Sequence, residues 1–470
     1  PEYFPVVVTA LSAISDPAFG LHGPSASTHG PAILIIVNGP VAKSIGLNHG
    51  QNLFGPGVRS NSTIGRAIRL ILMNAGGTRE FDRSTLGHGG KFSYCIAENE
   101  ITEWQLEVTT RCNAACPQCP RNINGGKVNP HMPLIDMDVE WIKKAFTKEI
   151  LGRCKQIFFC GSYGDPSVHP QFLEILRWFR SQKKDLWLYI HTNGAKRKDG
   201  FWEEIAYIMN GYGQIDFGID GLEDTNHLYR IGVRYEHAIQ NAKNFISAGG
   251  RAQWNFIVFK HNEHQIDEVK SLAKEYGFHN CLVRKTGRFF DQKDLVPMKK
   301  WPVQNSMGQT VRYLEMPDNP AYRNESLGRV NEIKQKYGSM IEYFKQTDIT
   351  CDALLGNKVV ITAEGIVMPC NFFEHNLYDA RFHQETHPGS FDPLGEKMYN
   401  NQIIQMYEKY GKDNLKIQNK TMEEIFNNPF WTDLVDSWKK KDFKEGRLLE
   451  CAFTCGQTFT KCWDQGGSTR

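Results

Sequence analysis

The sequence lacks any long apolar run of the kind that crosses a membrane, and its first twenty residues lack the basic start and unbroken apolar core of a secretory leader. A membrane partner is therefore not expected, and the cytoplasm is the expected compartment. The chain opens on Pro1 rather than Met, which weakens any expectation about targeting. Charge of one sign is missing too. The 55 Lys and Arg residues nearly balance 52 Asp and Glu, leaving a net charge of +3, and no basic stretch is interleaved with aromatics. Nucleic acid is accordingly not an expected partner. No residue stands out as a catalytic acid or base.

What is present is an ordinary globular composition, 40% hydrophobic and 23% charged, in a chain of 470 residues, long enough for two or three domains. Twelve cysteines are present. Eight fall into two groups: Cys112, Cys116 and Cys119, then Cys351, Cys370, Cys451, Cys455 and Cys462. Grouping of this kind without a secretory leader favours metal binding in a reducing compartment over a disulfide frame. Cys95, Cys154, Cys160 and Cys281 lie among apolar residues and are expected to be buried, inert thiols.

The chain is organised around Trp104 to Asn122, WQLEVTTRCNAACPQCPRN. Gln105, Glu107 and Thr109 alternate with Leu106 and Val108 as in a strand, after which Arg111, Asn113 and Pro117 break the pattern into a loop. Three thiolates at C-x-x-x-C-x-x-C spacing can hold three irons of a [4Fe-4S] cluster and leave the fourth open for chemistry. The alternative is structural zinc in a non-enzymatic binding protein, which usually wants four ligands in paired C-x-x-C units. The spacing resembles the radical S-adenosylmethionine (radical SAM) superfamily. That resemblance implies that SAM chelates the free iron, and that one electron splits its sulfonium to a 5'-deoxyadenosyl radical, which takes hydrogen from the substrate.

From Ile101 to about Arg288 strand-like runs alternate with helical ones, the signature of parallel βα units. Strands are expected at Gln105–Thr109, Gln156–Cys160, Leu186–His191, Gln214–Ile219, Gln253–Phe259 and Asn280–Arg284. Helices are expected at Asp138–Glu149, Pro170–Gln182, Gly200–Asn210, Arg234–Ala248 and Glu263–Tyr276. The fold class is α/β, and the six units resemble the partial (βα)6 TIM-like barrel of radical SAM enzymes, in which ligand groups gather at the C-terminal strand ends. The resemblance extends to those ends. Gly161-Ser162-Tyr163-Gly164-Asp165-Pro166 occupies the place of the family's GGEP motif, Asp165 replacing Glu, with Gly161 and Gly164 permitting close main-chain approach to the SAM amino group. Asn193 in His191-Thr192-Asn193-Gly194 is placed to bond SAM. Gly218-Ile219-Asp220-Gly221 resembles the family's S-I-D-G stretch without its Ser hydroxyl, and Arg230 resembles the arginine that pairs with the SAM carboxylate. Asn255, Val258 and Arg284 are further pocket candidates.

Residues 1–100 are richer in Gly, Ser, Asn and Pro, with a strand expected at Pro31–Asn38, a helix at Ile64–Met73 and a loop between them containing the GPG of Gly55–Gly57. ILIIVNGPVAKSIGLNHG, GPGVRSNSTIGRAIRLILMNAGG and KFSYCIAENE resemble part of the UGSC-type (seleno)protein family, although no cysteine precedes Cys95. No activity is assigned to this fragment. Residues 289–350 read as a connector lying over the barrel mouth, with a helical stretch at Arg329–Phe344.

Residues 351–470 open a second cysteine pattern in which a hairpin, Val359–Thr362 and Ile366–Met368, separates Cys351 from Cys370. The Gly365 to Cys370 element, the helical insert Thr421–Trp438 and CAFTCGQTFTKC resemble the SPASM/twitch extension of radical SAM enzymes. Five thiols imply one auxiliary [4Fe-4S] cluster, on Cys351, Cys370, Cys451 and Cys455, with Cys462 as spare or substitute; the alternative for this group is a tetrahedral zinc site. The expectation is thus a radical SAM oxidoreductase or maturase that acts on a peptide or small-molecule substrate and draws electrons from a reductase or flavodoxin-type donor.

Overall fold

Six segments between residues 103 and 285 form strands, and burial alternates strictly in those at 103–106, 156–159 and 187–192. They are β3 (Glu103–Leu106), β4 (Gln156–Phe159), β5 (Trp187–Thr192), β6 (Gly213–Gly218), β7 (Ala252–Val258) and β8 (Asn280–Lys285). In β5, Leu188 and Ile190 are buried while Tyr189 and His191 between them are half-buried. One set of faces thus packs under the helices and the other lines an interior lumen. The computed structural model describes residues 1–21, 33–50, 53, 57–75, 94–97, 101–197, 200–291, 296–378 and 402–456. Within them the chain divides into two compact units, Pro1–Glu100 and Ile101–Arg470.

The first unit pairs β1 (Leu34–Val37) with β2 (Tyr94–Ala97) in parallel, alongside α1 (Phe4–Ile14) and α2 (Arg59–Asn74). Ile64 and Ile68, one helical turn apart, are fully buried. Helix α2 starts five residues before the expected Ile64. Its first turn is held by polar bonds, which leave no apolar periodicity to read: Ser60 Oγ donates to Gly46 O at 2.8 Å, and Asn61 Oδ1 accepts from Asn48 N at 2.8 Å. Gly55 of the expected GPG turn lies outside the described residues.

In the second unit the six strands run parallel in chain order. The helices α3 (Val139–Ala145), α4 (Phe172–Gln182), α5 (Phe201–Met209), α6 (Tyr235–Ser247) and α7 (Ile266–Glu275) lie between consecutive strands. The expected Asp138–Glu149 helix is broken after Ala145, where Thr147 accepts from Ile150 N and restarts the chain as a short helix, Lys148–Arg153. The sheet is larger than six strands. After a connector hairpin of β9 (Lys300–Gln304) and β10 (Thr310–Glu315) and the helices α8 (Glu325–Tyr337) and α9 (Met340–Gln346), the chain returns as β11 (Lys358–Ile361), which lies parallel beside β3. β12 (Val367–Met368) closes the sheet's edge, giving the order β12-β11-β3-β4-β5-β6-β7-β8. The second cysteine-bearing hairpin is therefore a continuation of the barrel sheet, and both share one apolar core. The expected Arg329–Phe344 helix is two helices, separated at Gly338 (φ +82°) and recapped by Ser339.

Two further helices, α10 (Asn371–Tyr378) and α11 (Leu449–Cys455), follow the hairpin. Between them Met422–Phe426 opens on a capping box, Thr421 with Glu424, and Phe430–Ser437 follows. No helix among the described residues is long and apolar enough to cross a membrane. Buried Arg447 stitches the connector to the C-terminal segment: its guanidinium donates to the carbonyls of Phe344 (2.9 Å), Trp438 (2.8 Å), Lys440 (3.0 Å) and Thr347. Replacing it by Met strands four carbonyls without adding a donor. Arg447→Met is expected to cost about 3 kcal/mol or more of unfolding free energy, read as a lowered urea midpoint.

Candidate functional site

Three motifs far apart in the chain meet on the loop that follows β3. Cys112 and Cys119 are half-buried and Cys116 is buried, in an apolar nest with Ala114, Tyr229, Phe259, Phe289 and Val303. The connector contacts the loop and its continuation: Trp301 Nε1 donates to Pro117 O at 3.1 Å, and Gln304 N to Asn124 O at 2.9 Å. Burial pushes the thiols of Cys112 and Cys116 up, Cys116 to about 11, with Arg230 pulling Cys116 back. Cys112 feels the charges of Asp165, Cys116 and Cys119, and Cys116 those of Arg230, Cys119 and Asp220.

Asp165 is the hub. Its buried carboxylate accepts from Ser167 N (3.0 Å) and Oγ (2.6 Å), Thr192 Oγ1 (2.8 and 3.0 Å), Asn193 N (2.8 Å) and Asn193 Nδ2 (2.6 Å). Those bonds tie the loop after β4 to the end of β5. Asn193 carries the connection onward, its Nδ2 lying 2.9 Å from Asn113 Oδ1 and 3.8 Å from Cys112 Sγ. The carboxylate and the amide are thus consumed by protein donors and acceptors, and what the loop can offer a ligand is its backbone. That backbone is pressed against β3: a Cβ on Gly164 would sit 1.7 Å from Thr109 O, and one on Gly161 2.7 Å from Glu107 Oε1.

Asp220 and Arg230 form the other flank. Asp220, fully buried, accepts from Arg230 Nε at 2.6 Å and from Ile257 N at 2.6 Å. Burial pushes its carboxyl up, while the guanidinium pulls it back. Arg230 Nη1 reaches to 3.9 Å from Cys116 Sγ. The guanidinium also explains the glycine in place of the expected Ser, because a Cβ on Gly218 would meet Arg230 Nη2 at 2.4 Å. The space of the missing hydroxyl is filled by the arginine.

A second group of thiols lies around β11. Cys351 and Cys455 act on one another, and this interaction lowers Cys351 to about 7 and raises Cys455. Cys370 and Cys451 sense the charge of Cys351 and each other. Cys451 and Cys455 share one face of α11, and Thr350 N donates to Cys455 O at 3.1 Å. The four expected thiols are therefore neighbours; Cys462 lies outside the described residues. Among the described residues no three His, Cys, Asp or Glu side chains converge as one metal ion needs.

Residues 106–274 match the model of the Radical SAM superfamily. This chain carries a Radical SAM superfamily domain. It is 24% identical over 295 residues to the tungsten-containing aldehyde ferredoxin oxidoreductase cofactor-modifying protein of Pyrococcus furiosus, covering 60% of this chain and 74% of that protein. To the GTP 3',8-cyclase of Microcystis aeruginosa it is 23% identical over 297 residues, 60% of this chain and 85% of that one. The solved structure of Streptococcus suis SuiB bound to S-adenosylmethionine is 17% identical, with a TM-score of 0.39, over 58% of this chain and 61% of that one. The chain thus spans less than two thirds of SuiB. A Radical SAM domain implies a [4Fe-4S] cluster and SAM, and the donor set fits: three thiols on one loop in an apolar nest.

The lumen of the Radical SAM domain holds groups that the motifs did not reveal. Asp216 on β6 accepts from Tyr189 Oη (2.6 Å), Gln253 Nε2 (2.8 Å), Asn255 Nδ2 (2.9 Å) and Gln214 Nε2 (2.8 Å), and lies 3.1 Å from His191 Nε2. Burial pushes its carboxyl up, but these donors outweigh burial and hold it below the usual range. Arg284 Nε donates to Asn255 Oδ1 at 3.1 Å, so both candidates face the lumen. Val258 does not. It shares the parity of Trp254 and Phe256 and is buried in the outer core, which corrects its place among the pocket candidates. Cys160 does not lie among apolar groups alone, since its Sγ lies 3.8 Å from His191 Nδ1, but burial pushes its thiol up to about 12. The polar alternation of Tyr189 with His191 and of Gln214 with Asp216 was the available signal. Gly164→Ala would force the loop off β3 and is expected to destabilise the fold by about 3 kcal/mol, measurable as a shifted urea midpoint.

Proposed function

We propose that this chain is a radical SAM enzyme that cleaves SAM reductively and abstracts a hydrogen atom from a peptide or small-molecule substrate. Cys112, Cys116 and Cys119 would hold the catalytic [4Fe-4S] cluster, and Cys351, Cys370, Cys451 and Cys455 one auxiliary cluster of a SPASM/twitch-like extension. Cluster and SAM together supply one-electron scission of the sulfonium and a 5'-deoxyadenosyl radical. The chain's own residues bind and orient. The backbone of Gly161 to Gly164, shaped by Asp165, offers main-chain groups to the cofactor, Asn193 fixes the Cys112 end of the loop, and the Asp220–Arg230 pair sets a guanidinium beside Cys116. The connector, bonded to Pro117 and Asn124, braces the loop that bears the thiols. A reductase or flavodoxin-type protein would supply the electron.

The observation that carries this reading is the convergence of Asp165, Asn193, Asp220 and Arg230, from three strand ends, on one tri-cysteine loop. A zinc-stabilised binding protein would need four donors drawn to within about 2.3 Å of one ion, a tighter gathering than the described thiols make. Protein purified without oxygen is expected to be brown and to carry about eight irons, as two four-iron clusters require. With SAM and a strong reductant it should release 5'-deoxyadenosine, and Cys116→Ala should abolish that release. Colourless protein with stoichiometric zinc and no 5'-deoxyadenosine would sink the proposal.

A further inference from the structure

Two fully buried carboxyl groups face each other beneath the glycine-rich loop, and no motif accounts for them. Glu107, just past β3, uses Oε1 to accept from Tyr163 N (2.7 Å) and Gly164 N (3.0 Å). Its Oε2 and both carboxyl oxygens of Glu374, on α10, are buried and make no hydrogen bond of good geometry; Glu374 feels the Ser162 hydroxyl and, more strongly, contact with the Glu107 carboxyl. Two carboxylates are both acceptors, so this contact needs one proton between them. Helix α10 is pinned to the same loop by other contacts. Tyr163 Oη donates to Glu374 O at 3.2 Å, and Tyr163, Tyr378 and Met132 form a small apolar cluster.

The geometry points to Glu374 as a positioning residue: as a neutral acid it donates to Glu107, and through Glu107 it fixes the Tyr163 and Gly164 N–H groups of the cofactor loop. In a trans peptide the N–H and C=O point in opposite directions. Holding those two N–H groups toward Glu107 therefore turns the Ser162 and Tyr163 carbonyls away from it, which leaves the Ser162 carbonyl to serve as an acceptor for a ligand's amino group. This consequence for SAM rests on the function proposed above. The groups around the pair are Ser162, Tyr163, Cys160, Glu364 and the Tyr407 phenol. Among the described residues no salt bridge joins a cation to either carboxylate, while Glu364 is itself paired with Lys412. Burial and the neighbouring Glu107 push Glu374 well above its ordinary 4.5. The folded state thus keeps a proton that the unfolded chain has lost, and the stabilisation is complete below the ordinary value and is lost as pH rises toward the raised one.

The test compares wild type, Glu374→Gln and Glu374→Ala. In protein without added SAM, Glu374 should contribute about a tenfold fall in the folding constant per pH unit above pH 5. Glu374→Gln, whose amide still donates to Glu107, should flatten that slope. In anaerobically reconstituted protein, SAM binding measured by calorimetry should stay within about threefold of wild type in Glu374→Gln and weaken by about tenfold or more in Glu374→Ala. An unchanged pH slope in Glu374→Gln, or wild-type SAM affinity in Glu374→Ala, would overturn the assignment. If Glu374→Ala does not fold, the Gln variant alone decides it. Wild type that binds no SAM would defeat the functional reading, and the pH slopes would still decide the carboxyl pair.

Discussion

The site depends on one buried carboxylate having more donors than a solvated one would keep. Asp165 gathers backbone and side-chain donors from its own turn and from Thr192 and Asn193, and so joins two adjacent strand ends that no regular ladder links at that height. A buried charge is tolerated only when hydrogen bonds replace its lost hydration. The network cannot drift without exposing an unpaired acceptor. Because Asn193 also bonds Asn113 within the cysteine loop, the rigidity passes to the thiols.

The same principle organises the barrel interior. Outward faces of the strands are apolar and anonymous, filled by residues such as Leu106, Ile157, Leu188 and Trp254. The inward faces carry Gln105, Tyr189, His191, Asp216, Gln253, Asn255 and Arg284, whose polar groups satisfy one another. A sheet face built this way stays polar while the apolar face supplies the stability. The hairpin carrying Cys370 is bound to this shell by sheet pairing with β3, so the two thiol groups are parts of one folded unit.

Much of the fold was legible because helix and strand periods are local. The six barrel strands fall within a few residues of their expected places, and the helices from 172 to 275 do likewise. Breaks in expected helices went unseen at Phe146 and Gly338, where capping side chains rather than the apolar pattern decide the boundary. The tri-cysteine loop and the strand-end motifs were legible from spacing. Their partners were not: nothing in the sequence pairs Asp165 with Thr192, Glu107 with Glu374 or Arg447 with Thr347, because each contact joins residues whose proximity depends on strand order and crossover.

By itself, then, the sequence determined which stretches are strands and helices and which thiols are grouped, since each is written in the spacing of a few consecutive residues. Only the tertiary structure decided that β11 extends the sheet beside β3, that Val258 faces outward, that Gly218 makes room for a guanidinium, and that two carboxyl groups share one pocket. Those outcomes are set by which surfaces must leave water together, a property of the whole chain rather than of any segment of it.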